Sequence, residues 1–416
     1  MADGTVHIVG AGLAGLSAAL RLTMRGRRVV LHEANRFAGG RCRTFHDARL
    51  GCAIDNGNHL VLSGNRATRA YLAATGAERR MVAHPARFAF VDLAGGERWA
   101  LRMTAALPWW IASPARRAPG TQALDYLAGL RLALAGARRT VAEALPGRGP
   151  AWQRFWVPLT LAAINAPPER ASARLLWAVL RETFARGERA CRPLLAPDGL
   201  GSALVDPAVG WLTARGVRIE LGRPLRRVEA EGARATLLRF ADGDVALGAA
   251  DRVVLALPPS RLRAVLPGAD PPDDSSSIVN AFFRLAQPPA DAPPILGVLS
   301  ATSHWIFRRG DVVSVTVSAG DALGVADEPG EHLIPAIWGE VVRALGLAPG
   351  TRYLAARINK ERRATFDQSP AGVAKRLGAR TRLANVFLAG DATDTGLPAT
   401  IEGAIRSGER AAALAG

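Results

Sequence analysis

Val6-His7-Ile8-Val9, running into Gly10-Ala11-Gly12-Leu13-Ala14-Gly15 and, further on, into Val29-Val30-Leu31-His32-Glu33, is the stretch that decides the fold. The first four residues read as a strand and the glycines as a tight turn. In residues 16–25, Leu16, Ala19, Leu20 and Thr23 share one face of a helix that Gly26 stops. In a G-x-G-x-x-G run between strand and helix the three glycines serve, in turn, the tight turn itself, close approach of the backbone to a pyrophosphate, and close packing of helix on strand. The helix N-terminus, reached through Leu13 and Ala14, offers free N–H groups and the positive end of its dipole to phosphates. Glu33 ends the second strand, where a carboxylate accepts hydrogen bonds from ribose hydroxyls and an arginine would instead suit a 2′-phosphate. These residues predict a Rossmann-type dinucleotide unit within an α/β fold, and leave NAD and FAD both open.

Outward from this unit, 416 residues at 49% hydrophobic and 21% charged are ordinary globular composition with room for two lobes. The formal net charge of +17 suits anionic surfaces, whether membrane headgroups or nucleic acid. Almost all of it is arginine, since Lys360 and Lys375 are the only lysines, a bias that genome composition also produces. Cys42, Cys52 and Cys191 lack paired metal-ligand spacing and leave one thiol over in any disulfide scheme, so buried thiols, a reducing compartment and no metal are expected. Met1-Ala2-Asp3-Gly4 leads directly into the first strand, and no apolar run approaches the roughly 18 residues of a spanning helix. The expectation is a cytoplasmic protein whose membrane contact is peripheral.

Residues 101–186 change character to helices and loops carrying Trp109, Trp110, Trp152, Trp156 and Trp177, which suits a helical cap. Short β-type runs return at 217–221, 235–240 and 252–257, and again at 278–285 and 312–317; Pro398 opens a closing helix over 398–414.

The residues directly after the opening unit separate the dinucleotides. Glu33-Ala34-Asn35-Arg36-Phe37-Ala38-Gly39-Gly40-Arg41 resembles the E-A-x-x-x-x-G-G-R segment of the amine oxidase and phytoene desaturase flavoprotein superfamily, whose Gly-Gly-Arg turn meets the pyrophosphate and flavin side. Arg227-Val228-Glu229, with Asp251-Arg252-Val253-Val254-Leu255-Ala256-Leu257-Pro258, resembles the segment whose valine backbone pairs with adenine. Ala389-Gly390-Asp391 resembles the C-terminal motif whose aspartate holds the ribityl chain or pyrophosphate; the next helix, entered through Leu397-Pro398-Ala399-Thr400-Ile401, points at the isoalloxazine in that family. The resemblance implies non-covalent FAD and a Rossmann-type FAD-binding domain (1–90, 190–265 and 360–416) interleaved with a substrate domain of mixed sheet and helical cap (91–189 and 266–359).

Within the superfamily the chain resembles the squalene-associated, FAD-dependent desaturase group, the hydroxysqualene dehydroxylases. Asp55-Asn56-Gly57-Asn58-His59-Leu60 is similar to that group's D-N-G-Q-H-L signature, and Leu161-Ala162-Ala163-Ile164-Asn165-Ala166-Pro167 to its L-A-x-L-N-T-P stretch. His304-Trp305-Ile306-Phe307 lies where the group has a tryptophan-containing strand, and Asp394 to Gly403 resembles its ending. Asn58 departs from the usual glutamine, and Ala392 stands where tryptophan is common, which implies a missing aromatic contact near flavin or substrate.

The resemblance implies reductive removal of the hydroxyl of hydroxysqualene to give squalene, with Asn56 and Gly57 beside the cofactor. Asp55, Asn58 and His59 would line the substrate side, and His59 would be the proton donor or orienter; as plain residues, His59 also suits a structural role and Asp55 a turn. The expected partners are an isoprenoid substrate, a membrane surface met through the cap around Trp109 and Trp110 with Arg102, Arg116 and Arg117, and an external electron donor. No nucleic acid is expected. A carotenoid desaturase is the competing enzyme, a non-redox lipid carrier of the same architecture the competing class.

Overall fold

The computed structural model describes residues 4–416 except 107, 146, 147, 288 and 290, so the start read from residues 1–3 lies outside the described residues. The opening unit forms as its pattern predicts: β1 (Val6–Val9), α1 (Leu13–Met24) and β2 (Val29–His32). β3 (Arg218–Glu220), β4 (Arg252–Leu255) and β5 (Val386–Leu388) complete a five-stranded sheet in the order β3-β2-β1-β4-β5, parallel throughout. Both faces are covered, which is why β1, β2 and β5 are buried along their whole length and show no alternation. His7 and His32 interrupt the apolar run. They stack at 5.5 Å and share a 3.2 Å hydrogen bond, and burial pushes His32 down to about 4, so a neutral pair sits in the core.

The last element, α2 (Ile401–Ala415), lies against α1. Small residues make the approach possible: Ala14, Ser17 and Ala18 on one helix face Gly408 on the other, where a Cβ would stand 2.1 Å from the Ala14 carbonyl oxygen. The Ser17 hydroxyl donates to the Ile405 carbonyl at 2.9 Å, the Arg25 guanidinium to the Ala412 carbonyl at 3.1 Å, and Arg21 pairs with Glu409. Thr400 caps α2 by accepting from the Gly403 N–H at 3.1 Å.

Seven strands form the second sheet, in the order Ala355–Phe366, Ser275–Arg284, Val312–Val317, Trp305–Arg309, Ile295–Leu299, Arg87–Asp92 and Arg98–Arg102. Neighbours are antiparallel except for Ile295–Leu299 against Arg87–Asp92. The boundaries expected at 90/91 and 359/360 both fall inside strands of this sheet. The runs at 225–246 do not rejoin the first sheet; Leu225–Glu231, Arg234–Phe240 and Gly243–Ala246 make an antiparallel sheet of their own. The helical cap holds short helices, among them Ala123–Leu127, Leu130–Leu134 and Ala173–Glu182, around a core of Trp110, Tyr126, Phe155 and Trp156.

Gly408→Ala places a methyl group against backbone that cannot yield, so unfolding free energy should fall by about 1–3 kcal/mol. Chemical denaturation with flavin present checks it, and an unchanged midpoint would show that α1 and α2 separate without cost.

Candidate functional site

The α1 N-terminus opens a cleft of about 840 Å³. Gly12 is the helix N-cap, no side chain caps the helix, and a Cβ on Gly12 would meet nothing within 4 Å, so the first-turn N–H groups face open space. Gly10, at φ +104°, turns the chain where a Cβ would strike the Ala256 carbonyl oxygen at 2.3 Å. Gly15 stands off the cleft: its Cβ would lie 1.8 Å from the Gly10 carbonyl oxygen, so its part is to let helix and turn touch.

Glu33 is buried at the end of β2. One carboxylate oxygen accepts from the Ala11 N–H at 2.7 Å, the other from the Asn35 N–H at 2.9 Å and its side-chain amide at 2.8 Å. Three of about four acceptor positions are used, which leaves one for a sugar hydroxyl. Opposite, Arg41 binds Asp391 at 2.5 Å and the Ala364 carbonyl at 2.6 Å, and the neighbouring carboxylate holds its guanidinium firmly charged. Gly390 is fixed by its N–H to the Ser407 hydroxyl at 2.7 Å, which ties this loop to α2.

Leu13, Ala14, Ala34, Gly39, Gly40, Asn56, Leu257, Ala399, Thr400 and Ile401 also line this cleft. An uncapped helix end, arginines and a carboxylate with a spare acceptor are the donor set that a dinucleotide requires. Val228 does not reach it; that residue is buried in pairing with Leu238, and Leu225 lines the cleft instead.

A second cavity of about 280 Å³ adjoins the first. Phe88, Phe90, Leu101, Phe155, Trp305 and Phe307 make it apolar, and Gly57, Asn58, Leu397 and Pro398 border it. Gly297 lets the Phe90 ring lie flat, since a Cβ there would come within 2.4 Å of it. Arg41, Asn56, His59, Glu361, Ala364, Thr365, Ala399, Thr400 and Ile401 line both spaces and so form their common wall.

Three of the polar residues singled out in sequence behave differently from one another. Asn58 lines the apolar cavity, with its amide donating to the Thr316 hydroxyl at 3.0 Å and accepting from the Ser314 hydroxyl at 2.8 Å. His59 stands on the common wall, where burial lowers its pKa from the usual 6.5 and outweighs the Asp55 charge. The imidazole is therefore neutral at pH 7, which disfavours the cationic donor that the sequence suggested. Asp55 lines neither space: its carboxylate accepts from the Thr44 hydroxyl at 2.5 Å and the Leu200 N–H at 2.9 Å, and pairs with Arg309 at 2.9 Å. Asp55 was expected to border the substrate side, but these three contacts tie it to the strand Thr44–Asp47, the Leu200 turn and Arg309, whereas Asn56, the next residue, lines both spaces.

Ala392 is likewise corrected. It is 0% exposed in one buried cluster with Leu255, Leu262 and Leu388, and it lines neither space, so the position is part of the core in this chain. Sequence reasoning missed Glu361, Arg261 and Arg363 in the cleft and the Ser314–Asn58–Thr316–Asn280 polar ladder, because these meet only across strands.

Comparison with known proteins agrees with this geometry. Residues 13–415 match the family model described as flavin containing amine oxidoreductase. The chain is 45% identical to a hydroxysqualene dehydroxylase of Rhodopseudomonas palustris over 99% of its length and 98% of the relative's, and 44% identical to one of Sinorhizobium fredii with the same coverage. A zeta-carotene desaturase of Solanum lycopersicum is 34% identical over only 22% of this chain and 15% of its own. In fold this chain is similar to a cyclohexylamine oxidase from Brevibacterium oxydans, with a TM-score of 0.73 at 16% identity over 99% of both chains.

Two substitutions separate the cleft from its scaffold. Glu33→Arg should weaken flavin affinity by tenfold or more, as about 1.5–3 kcal/mol accompanies loss of a charged hydrogen bond. Asp55→Ala should lower stability by a similar amount, about 1–3 kcal/mol for the partners left unpaired, with flavin affinity unchanged. Flavin titration and denaturation of both variants check the assignment, which fails if their effects are exchanged.

Proposed function

We propose that this chain, which belongs to the flavin containing amine oxidoreductase family and within it to the hydroxysqualene dehydroxylases, reductively removes the hydroxyl of hydroxysqualene to give squalene. The cofactor is FAD. The observation that carries the reading is the common wall: a dinucleotide cleft and an aromatic-lined apolar cavity meet along Arg41, Asn56, His59 and Glu361.

The α1 N-terminus would hold the pyrophosphate, Glu33 a ribose hydroxyl, and the Arg41–Asp391 pair the part of the cofactor nearest the wall. When bound and reduced, FAD supplies hydride. The aromatic lining takes the hydrocarbon and keeps water from the allylic carbon, where ionisation leaves a delocalised cation. Asn58 and neutral His59 present an amide and an imidazole N–H to orient the departing oxygen. A carotenoid desaturase would run the hydride the other way, and it is the weaker reading because a probable zeta-carotene desaturase of Synechococcus elongatus is 27% identical over 74% of this chain, against 45% over 99% for a dehydroxylase. A non-redox carrier would have no use for the arginines and spare acceptor that surround the cleft.

Electrons must come from outside, since the chain carries one dinucleotide fingerprint; a separate reductase or free reduced flavin is the donor we infer. Membrane contact is also part of the proposal. No helix among the described residues is long and apolar enough to cross a membrane. The cap nevertheless exposes Trp109, Leu124, Leu127, Leu130 and Leu134, the last 87% exposed. Trp110 does not join them: it is 2% exposed and packs edge-on against Tyr126, a correction to the expected tryptophan pair. Residues 102–148, the segment that carries this face, hold seven arginines (Arg102, Arg116, Arg117, Arg131, Arg138, Arg139 and Arg148) against Asp125 and Glu143. The leucines back onto the roof of the apolar cavity, because Trp156 donates to the Asp125 carbonyl at 3.2 Å and its neighbour Phe155 lines the cavity.

Anaerobic mixing of photoreduced protein with hydroxysqualene should reoxidise the flavin and yield squalene in equal amount, read by absorbance and product analysis. Absence of squalene while the flavin stays reduced would refute the reaction. Vesicles with anionic lipid should float the protein at low salt and less of it at high salt. Leu124→Glu/Leu134→Glu should cut that binding by more than tenfold, since each buried leucine contributes about 1.5–3 kcal/mol; equal flotation of variant and parent would remove the leucine face from the interface.

A further inference from the structure

Protonation of the leaving oxygen needs an acid at the common wall, and the carboxyl groups near it are unequally committed. Three carboxylates reach the apolar cavity among the described residues: Glu182, Glu361 and Glu402. Glu402 accepts from the Ala67 N–H at 3.0 Å, the Thr68 N–H at 2.9 Å, the Thr68 hydroxyl at 2.8 Å and Arg406 at 2.8 Å, so it caps the helix Arg66–Ala74 and has nothing to spare. Glu182 is held by both nitrogens of the same Arg406, at 2.8 and 2.6 Å. Glu361 is different. One oxygen accepts from the Asn56 side-chain amide at 3.2 Å, and the other has only a 3.4 Å contact from the Arg363 N–H two residues on. It is also the one of the three that lines the cofactor cleft as well.

We infer that Glu361 is the acid that protonates the hydroxyl of the substrate, an assignment that rests on the dehydroxylase reading. As the C–O bond breaks, its electron pair goes to oxygen and the Glu361 proton completes a water molecule. The allylic carbon then takes a hydride from the reduced flavin, which is oxidised, and the Glu361 carboxylate regains a proton from solvent in the cleft. Each proton and electron pair is accounted for.

The surroundings suit this cycle. Arg41 is ion-paired with Asp391 at 2.5 Å, and Glu361 is a second, weaker charge partner of the same guanidinium. His59 on the same wall is neutral, because burial lowers its pKa. Arg363 turns its guanidinium to the Ser260 hydroxyl at 3.1 Å, Lys360 its ammonium to the Ala326 carbonyl at 2.9 Å, and Arg362 pairs with Asp327 at 2.7 Å. The facing strand opposes Glu361 with Ile278. Asn56, which Asn359 holds through its carbonyl, is the positioning residue that aims the carboxyl at the wall.

Glu361→Gln keeps the shape and the Asn56 contact while removing the proton. Anaerobic single-turnover reoxidation of photoreduced flavin by hydroxysqualene should slow roughly 10²-fold to 10⁴-fold in this variant. Glu361→Asp, which keeps a carboxyl group on the same strand, should recover much of that loss. A second readout needs no turnover: a squalene analogue with an ammonium nitrogen in place of the cationic carbon should bind the parent on the order of tenfold more tightly than Glu361→Gln by calorimetry. A wild-type rate in Glu361→Gln would overturn the assignment, and so would a Glu361→Gln protein that no longer holds flavin. A parent that binds the ammonium analogue but never reoxidises with hydroxysqualene would overturn the substrate reading instead.

Discussion

The close packing of α2 on α1 is the constraint on which the rest of the molecule depends. Two helices separated by almost the whole chain meet through Gly408 and the Ala14 backbone, and the contact admits no side chain larger than hydrogen at that point. Its consequence is positional. α1 begins at the glycine turn and α2 at Thr400, so fixing one against the other sets the phosphate-binding N-terminus and the wall of the apolar cavity in a single frame. Ser407, on α2, reaches the Gly390 N–H, and through that bond the Asp391 loop joins the same frame. The cofactor cleft is thus closed by the two ends of the chain, with the middle supplying the second lobe.

Carboxylates in this protein divide by what satisfies them. Glu33, Asp55 and Glu402 all accept backbone N–H groups; Asp55 and Glu402 are spent on the scaffold in this way, while Glu33 keeps one acceptor position open to the cleft. Reactivity is left to a group with an unfilled oxygen next to an apolar space, and the strand Ala355–Phe366 carries one to the junction of the two cavities. The same accounting explains why His59 serves best as a neutral donor: burial opposes its charged form more strongly than Asp55 supports it.

The cap has two apolar sides. Its inner aromatic residues, Phe155 among them, line the cavity, and its outer leucines stay uncovered. One thin layer of short helices thereby separates an apolar exterior from an apolar interior, an arrangement suited to a substrate that lives in hydrocarbon.

Much of this was legible in the residues alone. The strand-glycine-helix opening, Glu33 at the end of β2, and Gly390-Asp391 before the last helix are local patterns, and local patterns translate directly because backbone geometry and near-neighbour hydrogen bonds dictate them. FAD and the reaction class followed from resemblance in several such stretches. Other features were invisible. Asp55 lies in a motif that suggests catalysis, yet only the pairing of its strand with Thr44 and the approach of Arg309 show that its charge is spent on the scaffold. Ala392 looked like a lost aromatic contact, and its packing shows a filled core. Glu361 carries no motif, and it meets Asn56, 305 positions away, only because the second sheet is laid against the first lobe. Sequence by itself determined what binds at the helix end, since that site is built from consecutive residues. Which polar groups remain free to react was decided by tertiary structure, because a charge is available only if no other part of the chain has already satisfied it.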